Sequence, residues 1–213
     1  MLQWTVQGAL VVVNKPAGVA THRADGRHPD VVTLLRAAAP ELGLVAPAHR
    51  IDLETSGVLL LSADPAERAA LGRMFTEGAV HKRYLALVHG AMNRKGIVRR
   101  PLDDGRRGRP LEAVTRYRAL ERLGGFTLVA VRPEHGRKHQ IRRHLQMIGN
   151  PIVGDARYGP RRFVPVPAFP NRLWLHAESL ELPDGRRFEV PLAPELQAHL
   201  EVLRAGSTPP ADA

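Results

Sequence analysis

The sequence contains no cysteine and no long hydrophobic run, and both absences restrict what the protein can be. Without cysteine there is no disulfide, no cysteine-bound zinc and no thiol nucleophile. No apolar stretch approaches the roughly 20 residues that a membrane-spanning helix needs. The start, Met1-Leu2-Gln3-Trp4, lacks the basic segment of a secretion signal. We therefore expect a soluble, cytoplasmic protein with no membrane association.

Acidic residues are the minority among the charged ones. The chain has 21 Asp and Glu against 31 Lys and Arg, which gives a formal net charge of +10 over 213 residues. This excess favours a polyanionic partner, above all a nucleic acid. A solvated surface rich in arginine is the alternative that composition alone leaves open. The hydrophobic share of 44% is ordinary for a globular protein with a sizeable core.

The most informative stretch is 48–57, Ala-His-Arg-Ile-Asp-Leu-Glu-Thr-Ser-Gly, which leads into the apolar run 58–61. That run is short and is followed by Asp64-Pro65, so it predicts a buried strand. Asp52 then lies on the loop before the strand, where rigid structure commonly positions catalytic groups. Arg50 favours the ionised carboxylate. Asp52 is a candidate nucleophile or base, and a structural ion pair with Arg50 is the alternative.

A second basic stretch covers residues 132–149. Ile141, Leu145 and Ile148 follow helical spacing, so a helix is predicted from near His139 to Gly149. Arg142 and Arg143 fall in its first turns, where the helix dipole already favours anions. Whether these cations lie near Asp52 does not follow from the residues themselves.

Neither a metal nor a cofactor is expected. His135 and His139 are four residues apart, but Lys138 and Arg137 would repel a cation and no acidic third ligand is near. No phosphate-binding or dinucleotide-binding glycine motif follows a strand. Ser56 lacks the surrounding glycines of a nucleophile elbow and is expected to make a turn hydrogen bond. Asp155, between glycine-rich turns, is expected to hold the backbone rather than to catalyse.

The strand and helix signals along the chain predict an α+β fold. One domain is expected over residues 1–205, and residues 206–213 are expected to be a disordered tail. Segment 93–109 is predicted to be an exposed basic hairpin or loop that either touches phosphates or is simply solvated. No apolar stripe demands a partner subunit, so a monomer is expected. Helices are predicted over 31–39, from 65 to 75 or 76, over 139–149 and over 194–203, with Asp30 and Asp64 as the N-caps of the first two.

Several separate motifs, in one order along the chain, resemble the pseudouridine synthases of the RluA type. The likeness covers roughly residues 8 to 182. Positions 135–136 read His-Gly where the family often has Thr-Gly, and the stretch 175–177 runs into Pro183-Asp184 rather than the usual His-Pro. The motifs are 14–18 (Asn-Lys-Pro-Ala-Gly), 49–57 (His-Arg-Ile-Asp-Leu-Glu-Thr-Ser-Gly), 82–84 (Lys-Arg-Tyr), 88–90 (Val-His-Gly), 136–145 (Gly-Arg-Lys-His-Gln-Ile-Arg-Arg-His-Leu), 149–155 (Gly-Asn-Pro-Ile-Val-Gly-Asp), 158–159 (Tyr-Gly) and 175–177 (Leu-His-Ala).

The resemblance implies an α+β fold with a mixed, mostly antiparallel sheet, flanking helices and a basic active-site cleft. It also implies a reaction and residue roles. Asp52 matches the catalytic aspartate, which attacks the target uridine so that its base is detached, rotated and rejoined through C5. Tyr84 matches the tyrosine that packs on the base and helps to remove the C5 proton, and Arg142 matches the basic residue that pairs with the catalytic carboxylate. Arg50 matches an arginine that fills the gap left by the flipped base. The substrate-binding residues expected with it are His49, Arg137, His139 and Gln140.

The expected substrate is therefore structured RNA, either tRNA or 23S ribosomal RNA. Many relatives carry a small N-terminal RNA-binding domain that this sequence does not show, so RNA selection is expected to rest on the catalytic body and its basic loops. Two alternatives are a non-catalytic RNA-binding or RNA-folding protein on the same fold, and a nuclease that uses Asp52 and a metal. The intact Asp52, Tyr84 and Arg142 argue against the first, and the missing ligand cluster argues against the second.

Overall fold

The computed structural model describes residues 2–22, 28–103 and 109–207. The chain divides into two units: Met1–Arg83 with His176–Pro191, and Tyr84–Leu175 with Leu192–Ala213. The prediction of one domain over residues 1–205 stays a prediction. Gly206 and Ser207 were assigned to a tail, which is wrong because the last helix includes them. The rest of the predicted tail, 208–213, lies outside the described residues.

Ten strands and four helices make up the described chain. The strands are β1 (Gln3–Gln7), β2 (Leu10–Lys15), β3 (Ala46–Pro47), β4 (Ser56–Ser62), β5 (His81–His89), β6 (Lys95–Arg99), β7 (Val114–Leu123), β8 (Phe126–Pro133), β9 (Leu175–Glu181) and β10 (Arg187–Glu189). The helices are α1 (Val31–Ala38), α2 (Pro65–Thr76), α3 (Gln140–Met147) and α4 (Pro194–Ser207). The predicted α+β class with a mixed, mostly antiparallel sheet and flanking helices is confirmed.

The first unit is built around β4, which is buried along its whole length. Strands run in the order β1-β2-β4-β9, with β3 paired to β4 and β10 paired to β9. All these pairs are antiparallel except β4 with β9, which is parallel at Ser56–His176 and Gly57–Ala177. One face of β2 and β4 packs on α1 through Val31 and Leu35. Burial of this face fixes the register, because a shift of one residue would expose it.

The second unit orders its strands β5-β8-β7-β6, all antiparallel. Its core includes Trp174, which is fully buried and donates its indole N–H to His199 of α4 at 3.0 Å. Helix α3 contributes Ile141 and Leu145 to the same core. The second unit therefore has an apolar core of its own.

Helix starts agree with their capping signals. The Asp30 carboxylate accepts the Thr33 N–H at 3.0 Å at the start of α1, and the Asp64 carboxylate accepts the Ala66 N–H at 2.8 Å at the start of α2. Both caps satisfy backbone donors that the first helical turn leaves unpaired. Helix α3 begins after His139, which has φ +53° and is therefore outside the helix.

The basic segment 93–109 contains a strand that the sequence pattern did not single out. Strand β6 occupies Lys95–Arg99 and pairs with β7, so this part belongs to a hairpin rather than to a free loop. Its alternation of exposed and less exposed residues is short and strongly charged, which hides the period of two. Residues 104 and 105 of the predicted turn at Asp103-Asp104-Gly105 lie outside the described residues.

Gly57 is required where β4 meets β9. Its φ is +119°, and a Cβ at this position would lie 2.1 Å from the carbonyl oxygen of Ala177. We expect Gly57→Ala to lower the free energy of unfolding by about 3 kcal/mol or more, because strain and overlap add. Denaturant unfolding measures this. The matched control is Gly125→Ala, since a Cβ there meets nothing within 4 Å. Equal stability of the two variants would contradict the close approach at Gly57.

Candidate active site

Asp52 lies in the loop between β3 and β4, in the first unit, and is half-buried. Its backbone carbonyl accepts the Thr55 N–H at 3.1 Å, which closes a turn just before β4 begins. The carboxylate is therefore carried by a short turn on a fully buried strand. Such a support fixes the backbone position of Asp52 more tightly than a long loop would.

The residues on either side of Asp52 are held by β2 and the segment after it. The Leu53 carbonyl accepts the Gly18 N–H at 2.9 Å and the Lys15 ammonium at 3.1 Å. The Thr21 hydroxyl donates to the Ile51 carbonyl at 3.1 Å and accepts the Ile51 N–H at 3.4 Å. The backbone is thus fixed both before and after Asp52. This is the kind of preorganisation that a nucleophile needs.

Lys15 is the residue that the sequence patterns did not assign. Its side chain is fully buried, and besides Leu53 its ammonium donates to the carbonyls of Val19 at 2.7 Å and Pro16 at 2.9 Å. A buried ammonium needs such partners, because its desolvation is otherwise very unfavourable. Lys15 lies two residues after the β-branched run 11–13 and within the resembling motif 14–18, but neither feature predicts these contacts.

His49 has structural contacts. Its Nε2 accepts the Leu60 N–H at 3.0 Å, and its ring stacks on Phe75 with centroids 4.2 Å apart. Burial, followed by the nearby Lys82 ammonium, lowers the pKa of His49 to about 3, so the imidazole is neutral at neutral pH. The next residue, Arg50, is exposed. The substrate-binding roles expected for both stay predictions.

Ser56 and His176 join β4 to β9 by side chains. The Ser56 Oγ and His176 Nδ1 are 2.9 Å apart and buried. The hydrogen bond thus reaches the neighbouring strand, and the turn hydrogen bond expected for Ser56 stays a prediction. Leu175-His176-Ala177, the last of the resembling motifs, therefore supports the strand that follows Asp52.

In the second unit, Tyr84 lies on β5 and is half-buried against the core. Its cross-strand neighbour is Val131 of β8, which in turn faces Tyr117 of β7. Tyr84, Val131 and Tyr117 therefore project to one face of the strands. Helix α3 contacts the same face, because its Gln140 and His144 both bond to the Thr115 hydroxyl of β7.

Arg142 of α3 forms a buried, bidentate ion pair with Asp155. Its Nε donates to Oδ2 at 2.8 Å and its Nη2 donates to Oδ1 at 2.7 Å. Oδ1 also accepts the N–H groups of Arg157 and Tyr158, each at 2.9 Å. These two bonds confirm that Asp155 holds a backbone turn. Burial alone would raise the pKa of Asp155, but the hydrogen bonds from Arg142 and Tyr158 outweigh it and lower the pKa.

Tyr158 covers this ion pair. The Arg142 guanidinium carbon lies 5.3 Å from the centre of the Tyr158 ring, within cation–π range. The Tyr158 hydroxyl and the His139 Nδ1 are 3.1 Å apart. Arg142 is therefore restrained by charge, by hydrogen bonds and by an aromatic face. Tyr158 belongs to a resembling motif, but its role in holding Arg142 was not predicted.

Arg137 and Gln140 have internal partners as well. The Gln140 carbonyl oxygen accepts the Arg137 N–H at 3.1 Å, and its amide donates to the Val114 carbonyl at 2.9 Å. The Arg137 Nε donates to the Glu112 carbonyl at 3.0 Å. These bonds give both side chains a structural role at the start of α3. Their expected roles in substrate binding, like that of His139, stay predictions.

Among residues 2–22, 28–103 and 109–207, no three His, Asp or Glu side chains come together as a metal ion would require. No helix in those ranges is long and apolar enough to cross a bilayer.

Comparison with known proteins identifies the family. Residues 9–147 match the family described as RNA pseudouridylate synthase. The chain belongs to the RNA pseudouridylate synthase family. It is 37% identical over 206 residues to ribosomal large subunit pseudouridine synthase C of Vibrio cholerae, covering 90% of this chain and 64% of that protein. The protein of the same name from Salmonella typhi is 36% identical over 218 residues, covering 92% of this chain and 68% of that one.

The structural comparison agrees. Human RNA pseudouridylate synthase domain containing 4 superposes with a TM-score of 0.80 at 28% identity, covering 93% of this chain and 92% of that structure. The predicted family and fold are confirmed. The chain spans about two thirds of the length of the curated relatives named above. The matched range 9–147 contains Asp52, Tyr84 and Arg142.

The lowered pKa of His49 makes stability depend on pH. In the unfolded chain this histidine has the ordinary value of 6.5, so between pH 6.5 and about 3 only the unfolded state is protonated there. Acid therefore favours unfolding, by at most about 1.4 kcal/mol per pH unit. We expect His49→Gln to flatten the fall in unfolding free energy between pH 6.5 and 5. His81→Gln, which removes an exposed imidazole, is the control, and an unchanged slope in His49→Gln would contradict the assignment.

Removing the charge of Asp155 tests the buried pair. Asp155→Asn keeps the size of the side chain but takes away the carboxylate that faces Arg142, and we expect the unfolding free energy to fall by about 3 kcal/mol. The same change at Asp184, an exposed turn residue that pairs with Arg186, should have little effect. Thermal or denaturant unfolding at pH 7 compares them. The Asp155 contribution should also decline progressively as the pH falls below the ordinary value of 3.8, because the pKa of Asp155 is lowered in the folded state.

Proposed function

We propose that this chain isomerises specific uridines to pseudouridine in RNA, with Asp52 as the nucleophile. In this reaction the N1–C1′ bond of the nucleoside breaks, a C5–C1′ bond forms, the C5 proton leaves and N1 gains a proton, so no atom is added or lost. The observation that carries the proposal is the fixed Asp52 loop, held by Lys15, Gly18 and Thr21 inside the region that matches the family. It fits a mechanism in which a carboxylate must meet one atom of a flipped nucleotide.

Tyr84 and Arg142 keep, in this proposal, the roles that the family resemblance implies. Tyr84 packs on the extruded base and helps to remove the C5 proton. Arg142 is the cation that pairs with the nucleophile in this proposal, and its bond to Asp155 and contact with Tyr158 support this role by limiting its motion. Arg50, exposed beside Asp52, occupies the gap that the flipped base leaves.

Large-subunit ribosomal RNA is the preferred substrate class in this proposal, because the curated relatives are named for it. tRNA is the second class to test. We also propose that the protein acts in the cytoplasm, since the named relatives are bacterial and are named for the ribosomal large subunit. A monomer is proposed because no apolar stripe in the sequence demands a partner subunit.

The test is release of tritium from RNA labelled at uridine C5, with ribosomal RNA and tRNA assayed separately. We expect release by the unchanged protein and none by Asp52→Asn, whose RNA affinity should stay within a few fold because phosphate contacts lie elsewhere. Asp64→Asn is the matched control, since asparagine also caps a helix, and it should be fully active.

Two results would overturn the proposal. Turnover by Asp52→Asn would remove Asp52 from the chemistry. RNA binding without release from either RNA would favour a non-catalytic RNA-binding protein on this fold.

A further inference from the structure

Strands β6, β7 and β8 carry a row of cations on one face. Alternate residues of a strand project to the same side, so Lys95, Ile97 and Arg99 of β6 share a face. All three are exposed, with Ile97 at 46%, whereas Val98 between them is buried. The other exposed cations on this face belong to the next two strands; they are Arg116 and Arg118 of β7 and Arg132 of β8. We call these five cations the basic face.

The strand register brings these charges side by side. Arg116 stands directly opposite Arg132, and Lys95 directly opposite Arg118. Directly opposite side chains have Cβ atoms only about 5 Å apart, and like charges in such pairs destabilise a sheet. Glu134 is bound to Arg116 at 2.6 Å, but in the described part of the chain the other four cations form no ion pair. A repulsive arrangement of this kind is compensated when a polyanion binds.

The basic face is turned away from Tyr84. Tyr84, Val131 and Tyr117 alternate with Leu85, Arg132 and Arg118 along their strands, so the tyrosines project to the opposite side. Helix α3 packs on the tyrosine side, through Gln140 and His144. The cations are therefore not part of the surface that carries Tyr84 and Arg142.

We propose that the basic face binds the phosphates of an RNA segment distant from the target uridine; this rests on the proposed function. Its five neighbouring cations suit the repeated phosphate charges of a nucleic-acid backbone better than a single acidic side chain. Strand β6 is the last in the order β5-β8-β7-β6, so RNA reaches this face by passing around that edge. Three strand spacings, about 14 Å, separate β5 from β6. A short, stiff stem-loop held at Tyr84 would have to bend around β6 to contact the opposite side, so we expect it to miss the basic face.

The experiment compares two double variants of equal charge. Arg118→Gln with Arg132→Gln removes two cations of the basic face, and Arg36→Gln with Arg73→Gln removes two exposed helical cations of the first unit. RNA affinity is measured at several salt concentrations. The probes are a long unmodified transcript of large-subunit ribosomal RNA and a stem-loop of about 15 nucleotides excised from it.

For the long transcript, we expect the basic-face variant to bind about tenfold more weakly and the slope of log K against log salt to fall by about 1.4 to 1.8. The control variant should keep a slope close to that of the unchanged protein, and both variants should bind the stem-loop equally. Equal losses in the two variants would mean that total charge, not this face, attracts RNA. An equal loss for the stem-loop would mean that the face belongs to the target site. Either result overturns the inference.

These outcomes do not depend on turnover. If the unchanged protein releases no tritium, the proposed reaction fails while the binding comparison still stands. If tritium release is normal and the salt slopes of the two variants agree, the basic face alone is refuted.

Discussion

The placement of Asp52 depends on the hydrogen bonds that the buried ammonium of Lys15 donates to backbone carbonyls. This ammonium binds carbonyls of the turn after β2 and the carbonyl of Leu53, so one cation ties two loops that are distant in sequence. An ammonium without its hydrogen bonds would be strongly unfavourable in a buried site. The two loops consequently keep one arrangement, and the half-buried carboxylate of Asp52 is carried on it. The apolar strand β4 supplies the rigid support, and Lys15 fixes the loop to it.

Buried hydrogen bonds to an ionised side chain also hold Arg142 in the second unit. There the cation is the residue to be positioned, and the carboxylate of Asp155 fixes it through two hydrogen bonds at 2.7 and 2.8 Å. A guanidinium matched to a carboxylate in this way has a defined plane as well as a defined position. Asp155 also accepts the N–H groups of the turn that contains Tyr158, which covers the pair. The geometry of Arg142 is therefore set by the loop after α3 as much as by the helix.

The sequence predicted the parts of this protein that depend on local chemistry. Aspartates placed before apolar periodic segments correctly marked the starts of α1 and α2, and the apolar run 58–61 correctly marked a buried strand. The contacts of Lys15, His49 and Tyr158 could not be predicted in the same way, because their partners are up to 38 residues away. For segment 93–109 the sequence left a hairpin and a loop open, because the charged residues of β6 hide the alternation that its pairing with β7 makes evident. Motif order identified the family, since several motifs together constrain the fold more than any single residue does.

The cations of this chain fall into two physical classes, which act on RNA chemistry in different ways. Lys15 and Arg142 are buried and hydrogen-bonded, so dissolved salt screens them little and they fix geometry. Arg118 and Arg132 are exposed, so their attraction for phosphates depends on counterion release and weakens as salt rises. Ionic strength should therefore change how strongly RNA is held far more than how the bound uridine reacts. In the proposed function, the net charge of +10 consequently bears on RNA affinity, whereas Lys15 and Arg142, both almost fully buried, fix local geometry.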